Sequence, residues 1–265
     1  MKYAVIFGSS SGLAKASIKH LLNDGYTVIG FDIVNKNETK DNLYLRYCDV
    51  LDDNSILEAK NFVETLTSKV DVITNFVGIV KLGSLVELDL NALNQIFQLN
   101  LNSTYKINNI FYNLVKNAEG KIVNISSEYG KITAIPWHSY YSITKYGMEV
   151  YSDSLRRELA NSKIKVIKIR PGAFKTNMQG GVTKSFDKLF NETKLYKNEL
   201  MKLKFMMDDE LKKAKDPDIF GRKFLKIVNS KHPKKVYNIK NSFKMKLLTM
   251  LPSSLQDFLF KIILK

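Results

Sequence analysis

Six short runs rich in β-branched and apolar residues, Tyr3–Phe7, Thr27–Phe31, Val70–Phe76, Lys121–Ile125, Lys165–Ile169 and Lys235–Ile239, alternate with amphipathic stretches along this chain. Strands buried on both faces read as near-continuous apolar runs, and parallel neighbours need long crossovers, so the rhythm predicts a parallel sheet connected by helices. Right-handed crossovers place those helices on both faces, giving an α/β fold with a Rossmann-like doubly wound sheet. With 265 residues and 45% hydrophobic content, the chain suffices for one domain with a sizeable core. Residues 1–240 are expected to form that domain. Within it, 177–215 lack strand signals and should form a helical flap, and 241–265 should add a basic amphipathic extension.

Several classes fall away early. Cys48 is the single cysteine, so no internal disulfide framework is expected, and His20, His138 and His232 are too scattered for an obvious metal cluster. Met1–Phe7 carries too short an apolar run for a signal peptide, and no stretch of about 18 uninterrupted apolar residues exists, so a reducing, cytoplasmic setting is expected. The formal charge is +15, and it is uneven: from Arg222 onward eleven basic residues face one acid, Asp257, which accounts for ten of the fifteen charges. No helix-turn-helix, zinc finger or aromatic RNA-binding signature accompanies it, so no nucleic-acid partner is expected.

Gly8-Ser9-Ser10-Ser11-Gly12 joins the first strand to a helix predicted to bury Ala14, Ile18, Leu21 and Leu22 and to end at Gly25. Glycines here permit a tight turn and close approach of a pyrophosphate to the helix N-terminus, and the serines between them offer hydroxyl donors. The spacing departs from G-x-G-x-x-G, with Ala14 in the third place. Asp32 ends the second strand, where a carboxylate can bond an adenosine ribose and repel a 2′-phosphate; Ser11 and Ile33 supply no cation, so NAD is favoured over NADP. The plain alternative is a strand-to-helix connection with Asp32 capping a loop.

Tyr141 and Lys145 stand one helical turn apart, so an ammonium can sit beside a phenol and favour its ionised form. Such a tyrosine can exchange a proton with an alcohol near neutral pH. Alone, the spacing also fits a solvated helix face.

With these residues in hand, the chain resembles the short-chain dehydrogenase/reductase family over residues 1 to about 240. The glycine turn matches Gly8, Gly12 and Ala14, which implies cofactor contacts at Ser10, Ser11 and Leu13; Asp49-Val50 matches an Asp-Val pair that borders the adenine. Asn75-Phe76-Val77-Gly78 stands where the family has Asn-Asn-Ala-Gly, and Phe7 where it often has Thr. Pro171-Gly172-Ala173-Phe174-Lys175-Thr176 resembles a Pro-Gly-x-x-x-Thr loop whose backbone and threonine anchor the nicotinamide carboxamide. The catalytic tetrad carries over to Asn100, Ser127, Tyr141 and Lys145. The resemblance implies that Tyr141 is the general acid/base, that Lys145 tunes it and holds the nicotinamide ribose, that Ser127 fixes the substrate oxygen, and that Asn100 keeps a relay water. Ser126 competes with Ser127, and Asn94 and Asn102 with Asn100. Tyr140 would restore the usual serine-to-tyrosine interval but would set Thr144 at i+4.

The implied activity is NAD(H)-dependent interconversion of a secondary alcohol and a carbonyl, by a homodimer or homotetramer. An NADPH-dependent ketoacyl-type reductase and a non-catalytic NAD(H)-binding regulator are the alternatives. Ile135, Pro136 and Trp137, with Phe174, Met178, Phe186, Phe205, Met206 and Met207 near or in the flap, suit a hydrophobic small molecule, although such residues also serve as core. In the tail, Ser253 is expected to cap a helix with Gln256 as its capping-box partner, and Leu255, Phe258, Leu259, Ile262 and Ile263 form an apolar stripe. That stripe either packs on the domain or another subunit, or makes a peripheral contact at the inner membrane surface.

Overall fold

The computed structural model describes residues 1–265 apart from the side chain of Met206, so the expectation placed on that residue lies outside the described residues. In chain order the elements are β1 (Lys2–Phe7), α1 (Gly12–Asn23), β2 (Tyr26–Asp32), β3 (Glu38–Lys40), β4 (Leu43–Tyr47), α2 (Asp53–Leu66), β5 (Val72–Asn75), α3 (Leu90–Phe97), α4 (Ser103–Ile110), α5 (Tyr112–Asn117), β6 (Lys121–Ile125), α6 (Ser139–Glu158) and β7 (Lys165–Pro171). There follow α7 (Asn177–Glu192), α8 (Lys197–Lys212), α9 (Pro217–Asn229), β8 (Val236–Ile239), α10 (Phe243–Thr249) and α11 (Ser253–Leu264). A π-helical turn, Gln98–Asn102, joins α3 to α4.

The eight strands form one sheet in the order β3-β4-β2-β1-β5-β6-β7-β8, parallel except for the β3–β4 hairpin. That hairpin is not apparent from the apolar pattern: β3 is three exposed residues, and Arg46 interrupts β4. Side chains alternate across the sheet as the strand period of two demands. Ala4 and Ile6 of β1 face a layer with Phe220 and Phe224 of α9, whereas Val5 and Phe7 face the opposite layer with Ile56, Ile107 and Phe111. Phe7 and Phe76, two of the unusual residues noted above, are absorbed by these layers. Phe7 stacks on Phe31 at 5.0 Å and meets Phe111 edge-on at 5.5 Å, and Phe76 meets Phe220 edge-on at 5.9 Å.

Strand order reverses between β1 and β5, so the crossovers diverge there and leave a crevice beyond the carboxyl ends of both strands. Above it lies a third apolar cluster, built from α7, α8 and the loop before α6, in which Leu82, Ile135, Trp137, Leu200 and Leu203 are buried.

The tail departs from the expected cap. Pro252, not Ser253, is the N-cap of α11, and no side chain caps it. Gln256 instead donates to the Leu251 carbonyl at 2.7 Å and accepts from the Thr133 hydroxyl, because the helix folds back on the loop between β6 and α6 and these bonds compete with a local box. Phe260 and Leu264 pack inward, and Leu255, Phe258, Ile262 and Ile263 of the expected stripe stay exposed. Among the described residues no helix is long and apolar enough to cross a membrane, and no group of His, Cys, Asp and Glu could hold a metal ion.

Phe224 projects from α9 toward the sheet, fully buried and packed on Phe76 and Phe220. Phe224→Ala is expected to destabilise the fold by about 3–5 kcal/mol, read as a lower urea midpoint with unchanged slope.

Candidate active site

The glycine turn is shaped by contact. Gly8 has φ +75°, and a Cβ there would lie 2.7 Å from the Val77 nitrogen, so only glycine lets the ends of β1 and β5 approach this closely. Gly12 has φ +57°, and a Cβ would touch the Thr176 methyl at 3.2 Å. The turn thus abuts the Pro171–Thr176 segment, with Thr176 at the N-cap of α7. Ser9 turns away from the crevice to accept from the Asn35 amide at 2.9 Å. Ser10 binds Asp32 twice, through its backbone N–H at 3.0 Å and its hydroxyl at 2.6 Å, which fixes the carboxylate at the end of β2.

A pocket of about 480 Å³ opens here, lined by Gly8, Ser10, Ser11, Asp32, Asp49 and Val50 among others; no lysine or arginine lines it among the described residues. A larger cavity of about 890 Å³ adjoins it and also takes in Gly8, Ser11 and Gly12, then Leu13, Asn75, Gly78, Pro171, Gly172 and Thr176. Asn75 uses its side chain within the fold, donating to Ser103 and Thr104 and accepting from Val77 N–H, so it holds the loop after β5 in place.

Beyond the glycine turn, Ser127, Tyr141 and Lys145 share the wall of the larger cavity. Ser126 lies under α6, its hydroxyl directed to the Lys145 carbonyl. Tyr140 is fully buried and bonded to the Ser84 carbonyl and Asp89 N–H. Trp137 just before α6 is in the left-handed region at φ +61°, and its carbonyl accepts from Gly83. Tyr129 walls Tyr141 edge-on at 5.8 Å and stacks on His138 at 5.3 Å.

Burial pushes the Tyr141 phenol up to about 12; the Ser127 hydroxyl opposes that shift and the nearby Glu128 adds to it. Burial also pulls Lys145 down to about 8, with Glu149 opposing. The expected lowering of the phenol by Lys145 is therefore not realised here: the ammonium donates to the Ile125 carbonyl at 3.1 Å, and desolvation dominates. His138 is pulled down to about 4 by burial and stays neutral.

Asn100 sits in the π-helical turn, almost fully buried. Its amide donates to the Ile79 carbonyl and the Thr144 hydroxyl while its oxygen accepts from Ile79 N–H. Both amide protons are thus committed to tying the loop after Gly78 to α6, so the side chain positions these two segments.

Three features carry no local sequence signal. Glu149, one turn beyond Lys145 on α6, is gripped by Arg170 at 2.8 and 2.5 Å and by Lys168 at 2.9 Å, all nearly buried. Burial pushes Glu149 up, but Arg170, Ser126 and Lys168 outweigh it and hold the carboxyl below the usual range. Arg170 immediately precedes Pro171-Gly172, so this ion cluster ties α6 to the end of β7 that leads into that loop. Glu128, beside Ser127, accepts from Ser242 N–H at 2.7 Å and is pushed up to about 6 by burial. Met245 of α10 reaches the cavity wall from the tail. Of the expected substrate residues, Ile135, Phe174, Met178 and Met207 line the cavity; Phe186 is core, Trp137 packs on Tyr196, and Phe205 is 79% exposed.

A mostly parallel sheet open at its switch point is the architecture of a dinucleotide-binding class, and residues 2–186 match the short chain dehydrogenase family. The chain belongs to that family, whose members bind NAD(P)(H) and act on CH–OH groups. It is 27% identical over 98% of its length to a probable short-chain type dehydrogenase/reductase, VdlC, of Helicobacter pylori, covering 97% of that protein. It is 31% identical to retinol dehydrogenase 7 of Mus musculus over 72% of this chain, spanning 63% of the mouse protein's length. A short-chain dehydrogenase from Streptomyces avermitilis shares the fold at a TM-score of 0.77 and 23% identity, with 98% of this chain and 95% of that one covered.

Glu149→Gln is expected to cost about 3–5 kcal/mol in urea unfolding, because Arg170 and Lys168 lose their buried partner. The same change removes the anion that keeps Lys145 protonated, so any pH limb due to Lys145 should move below about 8, checked by the pH dependence of NADH affinity.

Proposed function

We propose that the protein is an NAD(H)-dependent dehydrogenase or ketoreductase that interconverts a secondary alcohol and a carbonyl on a hydrophobic substrate. The observation that carries this reading is the convergence of Ser127, Tyr141 and Lys145 on one wall of a cavity that continues to the glycine turn. The rest of that wall is largely apolar, with Leu82, Leu189, Leu203, Met207 and Leu211 among its residues, which favours a lipophilic carbonyl over a phosphorylated sugar. The mouse relative's name, a retinol dehydrogenase, is in keeping with that class.

The residues fit the cofactor. Gly8 and Gly12 line the cavity at the α1 N-terminus, where a pyrophosphate would meet backbone N–H groups, and Asp32, in a pocket that no basic side chain lines among the described residues, supports NAD over NADP. When bound, the nicotinamide supplies or accepts the hydride. Pro171, Gly172 and Thr176 would hold its carboxamide end, Asp49 and Val50 the adenine end, and Lys145 its ribose.

In reduction, Tyr141 donates its proton to the substrate oxygen; in oxidation it takes the proton back. A phenol held near 12 is fully protonated at neutral pH, ready for the first direction, while the second needs Lys145 to turn from the Ile125 carbonyl toward it. Ser127 hydrogen-bonds the substrate oxygen and aligns it with the phenol. Asn100 holds the Ile79 loop and α6 in register around them. We read the enzyme as a homodimer or homotetramer acting on small molecules, with a peripheral membrane contact made by its C-terminal extension.

Nicotinamide fluorescence titration is expected to give tighter binding of NADH than of NADPH, and Asp32→Ala should erase most of that preference. Failure to bind either cofactor would reject the reading. Tyr141→Phe should retain NADH binding while turnover over a carbonyl panel falls about 10²–10⁴-fold. NADH affinity should weaken as pH rises through about 8, because the Lys145 ammonium exists below that value and is lost above it; Lys145→Arg should remove this limb.

A further inference from the structure

The exposed apolar side chains of the tail form two continuous stripes. On α10 and its C-cap residue, Phe243, Leu247 and Met250 recur at i, i+4 and i+7 and are 76%, 54% and 74% exposed. On α11, Leu255, Phe258 and Ile262 recur at i, i+3 and i+7 and are 41%, 57% and 56% exposed. The opposite faces of the same helices hold on to the enzyme: Met245, Phe260 and Leu264 join the apolar cluster above the crevice, and Ser242 N–H binds Glu128 beside Ser127. An adjoining helix, α8, packs on α11 and carries exposed Met201 and Phe205. Singly exposed apolar residues need no explanation, but large ones in register on two successive helices mark a contact surface.

Charge selects the occupant. The extension from residue 241 holds Lys244, Lys246, Lys261 and Lys265 against one acid, Asp257, within the strongly basic end of the chain. A second copy docked on this face through a two-fold axis would set these lysines against their equivalents, which like-charge repulsion opposes. An anionic bilayer pairs with both properties at once: lysines meet lipid phosphates while phenylalanine and isoleucine enter the acyl boundary.

We infer that α10 and α11 form an anionic-membrane docking face, with Phe243, Phe258 and Ile262 as the inserting side chains and the neighbouring lysines as the electrostatic contact. This deepens the reading of a lipophilic substrate and rests on it for its purpose: α10 has Met245 in the cavity wall and its outer face on the bilayer, so a membrane-dissolved alcohol or carbonyl meets the enzyme beside its site. The docking itself is independent of the chemistry.

The test is flotation of the full-length, NADH-loaded protein with extruded vesicles of phosphatidylcholine alone and of phosphatidylcholine mixed with phosphatidylglycerol, at low and high salt. Binding to the mixed vesicles, at least about tenfold weaker to phosphatidylcholine alone and weakened by salt, is expected. Phe258→Ser with Ile262→Ser should reduce that binding at least about tenfold, and Lys261→Glu with Lys265→Glu should do the same. These residues are exposed, so NADH affinity should not change in either variant. That measurement separates the two ideas, because loss of NADH binding by the native protein would remove the cofactor reading and leave vesicle binding to be judged by itself. The inference is overturned if the native protein stays off mixed vesicles, if the substitutions leave flotation unchanged, or if sedimentation velocity shows that Phe258→Ser with Ile262→Ser dissociates an oligomer, since the face would then be covered by a second copy.

Discussion

The arrangement depends on how closely the carboxyl ends of β1 and β5 come together. Gly8 lies against the backbone of Phe76 and Val77, and Phe76 N–H donates to the Phe7 carbonyl at 2.8 Å. Parallel strands on either side of a reversal in order leave their ends open on the same side, so whatever packs there is held by loops rather than by further ladder bonds. A side chain at position 8 would push those loops apart. The turn to α1, the Asn75 bonds that brace the following loop, and the Gly12 contact with Thr176 all follow from that approach.

A second constraint holds α6 to β7. The Tyr141 and Lys145 helix and the strand leading to Pro171-Gly172 are joined by the Glu149, Arg170, Lys168 and Asp153 cluster, mostly shielded from water. Buried ion pairs contribute little net stability against an apolar substitute, but breaking one is costly, so their value lies in fixing one arrangement. Here the arrangement fixed is the seating of α6 on β7. The π-helical turn at Asn100 has a related part: it directs one amide to both the loop after β5 and α6.

The C-terminal helices belong to the site rather than to an appendage. They bring Met245 to the cavity and a backbone N–H to Glu128, and they leave a basic, aromatic-bearing face outward. The loop between β6 and α6 therefore joins the wall that carries Ser127 to the C-terminal helices.

Much was legible in the chain because it depends on local pattern. Apolar runs of strand length, Gly8 and Gly12 between strand and helix, Asp32 at a strand end, and Tyr141 and Lys145 at i and i+4 can all be read from spacing, since backbone periodicity and φ requirements act within a few residues. Tertiary structure decided the rest, because burial and long-range pairing have no sequence spacing. It made Asn100 a tie between loop and helix, turned Lys145 to the Ile125 carbonyl, and drove the Tyr141 phenol upward by desolvation. It replaced the expected Ser253 cap with bonds from Gln256 to Leu251 and Thr133, and set Glu128 and Met245 at a site that no motif in their own neighbourhood announces. The sequence determined which groups the chain could bring to a hydride transfer. Only the packing of distant segments decided their partners, their protonation and the face left to the outside.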